Sequence, residues 1–189
     1  MMKRYRVFFC VLIGILVPWS SLVANAQQER PDLGELRKQI ELFESVLNQS
    51  LKQAFGGPFD TLDRAQGAYL PGYGVVFSFE VSLSQVVNMG PFNALPTPKR
   101  EAAQRAEELR RRDKAKAIAE EVLANFGQTL SSLSPNESIA VIIHTAAAHP
   151  DKVERSTIVV SVDKKSIEER QANTIDRPQF ARKLTTTEY

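Results

Sequence analysis

The chain has 189 residues, 43% hydrophobic and 24% charged, with 24 basic against 22 acidic groups and one cysteine. A single cysteine excludes an intrachain disulfide framework, and the near balance of charge removes any general electrostatic case for nucleic acid or acidic lipid. An ordinary hydrophobic core must hold the fold, and the length suffices for one domain.

Lys3, Arg4 and Arg6 form a positive region, Val7 to Val17 an apolar one, and Ala24-Asn25-Ala26 a small-x-small cleavage site. Residues 1–26 therefore read as a secretory signal peptide. The pattern predicts export to the periplasm or the medium with cleavage after Ala26 and no stable membrane span afterwards; an uncleaved amino-terminal anchor is the alternative. Cys10 lies inside the apolar region, away from the cleavage boundary, so it does not read as a lipoprotein acylation site. No acidic residue precedes Gln27, so removal of the three basic residues leaves 21 basic against 22 acidic groups and a net charge of −1.

Residues 27–32 read as a flexible lead-in. Leu36, Ile40, Phe43, Leu47, Leu51 and Phe55 recur every three or four positions, which predicts an amphipathic helix from Leu33 to Phe55, stopped by Gly56-Gly57-Pro58. Phe59 to Gln66, with Asp60, Asp63 and Arg64, reads as turn-like. Leu70-Pro71-Gly72-Tyr73 places Pro and Gly as a type II turn requires, and Gly74 is a candidate bulge. Val75, Phe77, Phe79, Val81 and Leu83 then alternate with Val76, Ser78, Glu80 and Ser82, the pattern of a strand with one buried face. These glycines do not form a nucleotide loop: no Lys-Ser/Thr follows them, and they lead into a strand instead of a helix.

Residues 84–98 form a proline-containing loop with Val86, Val87, Met89, Phe92 and Leu95, either packed over a sheet edge or used for recognition. Lys99 to Phe126 reads as a long helix ended by Gly127, its second half docked on the core and its charged first half projecting into solvent. Within that half, Arg110, Arg111 and Arg112 are candidates for contact with an anionic surface, or else members of a solvated face stabilised by nearby opposite charges. Ile139, Val141 and Ile143 mark a strand whose reverse side, Ala140, Ile142 and His144, is also rather apolar, as in an interior strand. Thr145 to Arg155 reads as a connector, Thr157 to Asp163 as a strand pairing antiparallel with the previous one, and Lys164 to Gln171 as a short helix. Residues 176–189 are a polar tail, an edge strand or disordered.

Candidate chemistry is sparse. His144 and His149, with Asp151 and Glu80, are the best metal or hydrolytic candidates, because imidazoles and carboxylates can share zinc; their spacing matches no zinc hydrolase motif. The mature chain has no cysteine and no Gly-x-Ser-x-Gly, and no cofactor is expected. Tyr69 and Tyr73 could stack on a sugar or peptide or simply pack. Two sequons begin at Asn48 and Asn136, the first inside a helix.

Two passages, Gly67 to Leu83 and Asn125 to Glu137 (NFGQTLSSLSPNE), resemble passages of exported bacterial proteins of unassigned function. The resemblance covers about 30 residues; it implies a bacterial, extracytoplasmic setting and carries over no catalytic residue.

The expected architecture is a single α+β domain over residues 33–175, a mainly antiparallel sheet of 3–5 strands with two main helices on one face. The expected function is a non-catalytic interaction module of the bacterial envelope or secretome with an unidentified protein partner. It would use Val86, Val87, Met89, Phe92 and Leu95 together with Arg110, Arg111 and Arg112. Two alternatives stand beside it: a metal-dependent or carboxylate hydrolase built on Glu80, His144, His149 and Asp151, and a homo-oligomer held by its helices.

Overall fold

The apolar stripe from Leu36 to Phe55 becomes the buried side of α1 (Leu33–Phe55). Asp32 starts it: Oδ1 accepts the amides of Gly34 at 2.8 Å and Glu35 at 3.3 Å, satisfying donors that have no partner within the helix. The computed structural model describes residues 32–55, 61–84, 97–149 and 152–189, all within one compact unit spanning Pro31–Tyr189. Of the lead-in expected over residues 27–32, residues 27–31 lie outside them, and Asp32 belongs to the start of α1.

Next come β1 (Thr61–Leu70) and β2 (Gly74–Ser82), paired antiparallel. Their joint is the expected turn: the Tyr73 amide donates to the Leu70 carbonyl at 3.0 Å and Gly72 has φ +82°. Helix α2 (Pro98–Phe126) carries the chain to β3 (Ser138–Ala148), which lies parallel to β2; a parallel joint needs such a long crossover. Then follow β4 (Val153–Asp163), α3 (Lys164–Gln171), α4 (Arg177–Ala181) and β5 (Thr185–Glu188), with β4 antiparallel to both β3 and β5. The result is one five-stranded mixed sheet in the order β1-β2-β3-β4-β5. The α+β class is as expected, with three antiparallel joints and one parallel.

Helices α1 and α2 share one face of this sheet. Phe43 of α1 stacks on Phe77 of β2 with ring centroids 4.3 Å apart, while Ala115, Ala119, Val122 and Leu123 of α2 are buried in the same core as Ile139, Val141, Ile158 and Val160.

Several local expectations are corrected. Residues 61–66 are strand, because α1 supplies what the edge backbone lacks: Asn48 bonds both the amide (2.8 Å) and the carbonyl (3.2 Å) of Ala65, and Glu44 Oε1 accepts the Gly67 amide at 2.6 Å. The irregular pairing lies here, between Thr61 and Gln66, and not at Gly74. Gly74 serves a close approach: with φ +127°, any Cβ would collide with the Ser138 carbonyl and sit 2.8 Å from the Ser138 nitrogen. The expected connector is mostly strand, with β3 running to Ala148 and β4 starting at Val153, since Thr145 and Ala147 continue the inward alternation. Gly127 keeps a right-handed backbone, φ −56°, and is small because a Cβ would lie 2.7 Å from Ile167 Cδ1.

The first half of α2 does not simply project into solvent. Glu108 and Arg111 are buried, Arg112 pairs with Glu188 of β5, and Lys114 Nζ donates to the Ala54 carbonyl at 2.6 Å. Among the described residues no helix is long and apolar enough to cross a membrane.

Candidate functional site

Strand alternation puts every second residue of β2, β3 and β4 on the face opposite the helices, and no described element lies over that face. Cross-strand register arranges it in rows. Ala68, Val76, Ala140, Ser161 and Thr185 form one row, and Gln66, Ser78, Ile142, Val159 and Thr187 the next. Asp63, Glu80, His144 and Thr157 form the third, and Ser82, Ala146 and Arg155 the fourth. Ala140 is buried by its neighbours, while Val76, Ile142 and Val159 are half-buried and His144 is exposed. Apart from Gln66 and the charged positions, the side chains are short or β-branched, so the surface is low in relief.

Apart from Asp163, which ends β4 and caps α3 through the Ser166 amide, charge on this face is segregated by strand. Asp63 and Glu80 lie on β1 and β2; His144 and Arg155 lie on β3 and β4. His144 Nδ1 is 3.2 Å from Thr157 Oγ1. Glu80 is the register partner of His144 across the parallel joint, so the structure brings together two of the four metal or hydrolytic candidates.

It does not bring the others to them. His149 stands on the helix side, its Nε2 3.8 Å from Glu108 Oε2 of α2 and 3.6 Å from Glu154 Oε2, and Asp151 lies outside the described residues. Among the described residues no group of three or more His, Cys, Asp and Glu side chains could hold a metal. Glu108 is instead a tether: Oε1 accepts Ser84 Oγ and Gln104 Nε2, both at 3.0 Å, and Ser84 Oγ accepts the Ala148 amide at 2.8 Å. The nearby Lys152 ammonium, bonded to Glu154 at 2.5 Å, lowers the carboxyl pKa of Glu154.

Two of the three arginines converge on one carboxylate and the third turns away. Arg110 is exposed, with Nε at 2.8 Å and Nη2 at 2.7 Å from the two oxygens of Glu107; Arg111 is buried and reaches Glu107 Oε1 at 3.0 Å; Arg112 turns to Glu188. Hydrogen bonds from Arg110 and Arg111 lower the Glu107 carboxyl to about 2. Each arginine of the run is thus engaged by a nearby carboxylate, Glu107 or Glu188. Val86, Val87, Met89, Phe92 and Leu95 lie outside the described residues.

A shallow groove of about 490 Å³ lies between α1 and β1, beside Leu36, Ile40, Glu44 and Tyr69. Two of its polar groups already serve the fold: Glu44 holds the Gly67 amide, and Tyr69 Oη donates to Glu137 Oε1 at 2.7 Å. That bond raises the phenol pKa, with smaller contributions from burial and the Glu137 charge. Glu137 is buried, and its other oxygen accepts the Ser134 amide at 2.8 Å. Tyr69 is therefore a packing and bonding residue. Asn48 is likewise occupied, by β1, which takes its sequon out of an acceptor's free-loop setting.

Comparison with known proteins found no matching family model, no similar characterised protein and no similar solved structure. Sequence reasoning had named Glu80 and His144 but missed Val76, Ala140, Ile142 and Val159 as a surface. The signal was the second apolar side of residues 139–144, which suggests an interior strand. Strand β3 is interior to the sheet, yet one of its faces is open.

Proposed function

We propose that the protein is a non-catalytic interaction module, exported to the bacterial envelope or medium, and that the open sheet face is its contact surface. The observation that supports this reading is the half-buried aliphatic centre of that face, Val76, Ile142 and Val159, bordered by Glu80, His144 and Arg155. A broad apolar area rimmed by polar groups is the composition expected of a protein-contact surface.

A photoreactive amino acid in place of Ile142, compared in living cells with one in place of the exposed Lys38 of α1, tests the surface. The expected result is a specific protein adduct from position 142 and none from position 38. Equal adducts from both positions, or none from either, would overturn the assignment. Export is tested separately, by fractionation and by an amino-terminal mass beginning at Gln27.

A further inference from the structure

We infer that the partner of the open sheet face is a second copy of the same chain, packed face to face about a two-fold axis; this rests on the contact surface proposed above. A closed dimer of this kind needs a surface complementary to itself, and the face has that property in two independent respects.

The first is charge. Apart from Asp163 at the end of β4, which caps α3 through Ser166, the acidic groups Asp63 and Glu80 occupy β1 and β2, and the basic groups His144 and Arg155 occupy β3 and β4. A two-fold axis lying between the sheets, parallel to the strands and midway between β2 and β3, lays the acidic half of each copy on the basic half of the other. Glu80 then faces the other copy's His144 twice. Among the described residues Glu80 has no hydrogen-bond or ion-pair partner, and His144 Nδ1 is taken up by Thr157 Oγ1 at 3.2 Å; its Nε2 is left to be met from outside. Asp63 comes over Thr157, next to Arg155 in the following row.

The second is shape. The same operation places Val76 over Ala140 and Ser78 over Ile142, so these two rows each set a larger side chain against a smaller one, while Glu80 meets His144 in the third row and Ser82 meets Ala146 in the fourth. Facing sheets pack about 10 Å apart with their strands within about 30° of each other, and large-on-small pairing suits that gap in the two aliphatic rows. The overlap spans β1 to β4, of which β2, β3 and β4 are 9, 11 and 11 residues long. At a rise of about 3.3 Å and a strand spacing of about 4.8 Å it covers about 600 Å² per copy, the lower bound for a specific interface. Helices α1 and α2, on the other face, take no part.

The test is sedimentation velocity on the full chain as purified, over about 1 to 100 μM, with circular dichroism to verify folding of each variant. The expected wild-type result is a concentration-dependent dimer. Ile142→Lys should weaken it by at least about 30-fold, since a lysine would be desolvated at the centre. Glu80→Lys and His144→Glu should each weaken it by about 10-fold by setting like charges opposite each other. Mixed in equal amounts, those two variants should dimerise again, because one copy's introduced lysine meets the other's introduced glutamate while the unchanged pair is retained. Repair on mixing requires the contact to be between molecules, although Glu80 and His144 are also neighbours within one sheet. A monomer at every concentration, a dimer indifferent to Ile142→Lys, or failure of the mixture to associate would overturn the inference. The adduct at position 142 separates this from the broader reading: an adduct of twice the chain mass supports the dimer, an adduct with a different protein overturns the dimer and leaves the contact surface standing, and no adduct removes both.

Discussion

On the covered face of β2, Val75, Phe77, Phe79 and Val81 are no more than 2% exposed; on the open face of the same strand, Val76, Ser78, Glu80 and Ser82 are all half-buried. The backbone is shared, so the contrast arises from side chains alone. Inward residues are large and aromatic because they must fill the space beneath α1 and α2, as the Phe43–Phe77 stack does. Outward residues are small and include the charges that a monomeric core would exclude. The first face has done its packing within the chain, whereas the second is smooth, aliphatic at its centre and uncovered by any described element.

The sharpest way to break this contrast is to hollow out the covered face. Phe77→Ala removes a fully buried ring and should lower unfolding free energy by about 3–5 kcal/mol in urea denaturation; a loss under about 1 kcal/mol would mean that α1 does not pack on β2. Gly74→Ala should be nearly as harmful, about 2–4 kcal/mol, since it combines a positive-φ backbone with a collision at Ser138. The same assay checks it, and a neutral result would contradict the close β2–β3 approach.

The end of the sheet gives a smaller effect with a pH signature. Tyr69→Phe leaves the buried Glu137 carboxylate without its phenol donor, at a cost of about 1–2 kcal/mol near neutral pH. Hydrogen bonding to Glu137 raises the folded-state pKa of Tyr69 above its ordinary value. The associated stability is therefore fully present below the unfolded tyrosine pKa of about 10 and is lost as pH rises through the folded value. Stability measured from pH 7 to 11 should fall more steeply in the wild type than in Tyr69→Phe, and parallel curves would show that the bond is not made.

How much of this was legible in the sequence depended on whether a signal was local. Helix α1, the Pro71-Gly72 turn, β2 and α3 carry their periodicity and caps within a few residues, as when Asp163 accepts the Ser166 amide at 2.7 Å to start α3. Residues 61–66 carry none, because the groups that hold them in the sheet, Asn48 and Glu44, sit on α1. The arginine run left two readings open, an anionic contact or a solvated face stabilised by opposite charges, because the sequence does not say which partners each side chain takes up after the roughly 100° turn between successive helical residues. For the site, the pairing of Glu80 with His144 depends on the register of a parallel joint made across the α2 crossover, which no periodicity encodes. His149 follows the last residue of β3 and falls in the stretch read as a connector, so no alternation could place it on the helix side, where Glu108 and Glu154 meet it.

The last and smallest effect sharpens the contrast most. Ile142→Ala removes a β-branched side chain from the centre of the open face, one residue from the fully buried Val141 and Ile143. If the face is uncovered within the chain, the substitution should lower the unfolding free energy of the monomer by no more than about 1 kcal/mol, the span of strand propensity and cross-strand contact at a half-buried position. Measured at the concentrations where the wild type associates, the same substitution should lower the apparent midpoint further, since stability gained from association scales with subunit concentration. A cost of 2 kcal/mol or more in dilute monomer would instead mean that some part of the same chain already covers Ile142. The two faces would then be two halves of one core, and the open surface would lose its role.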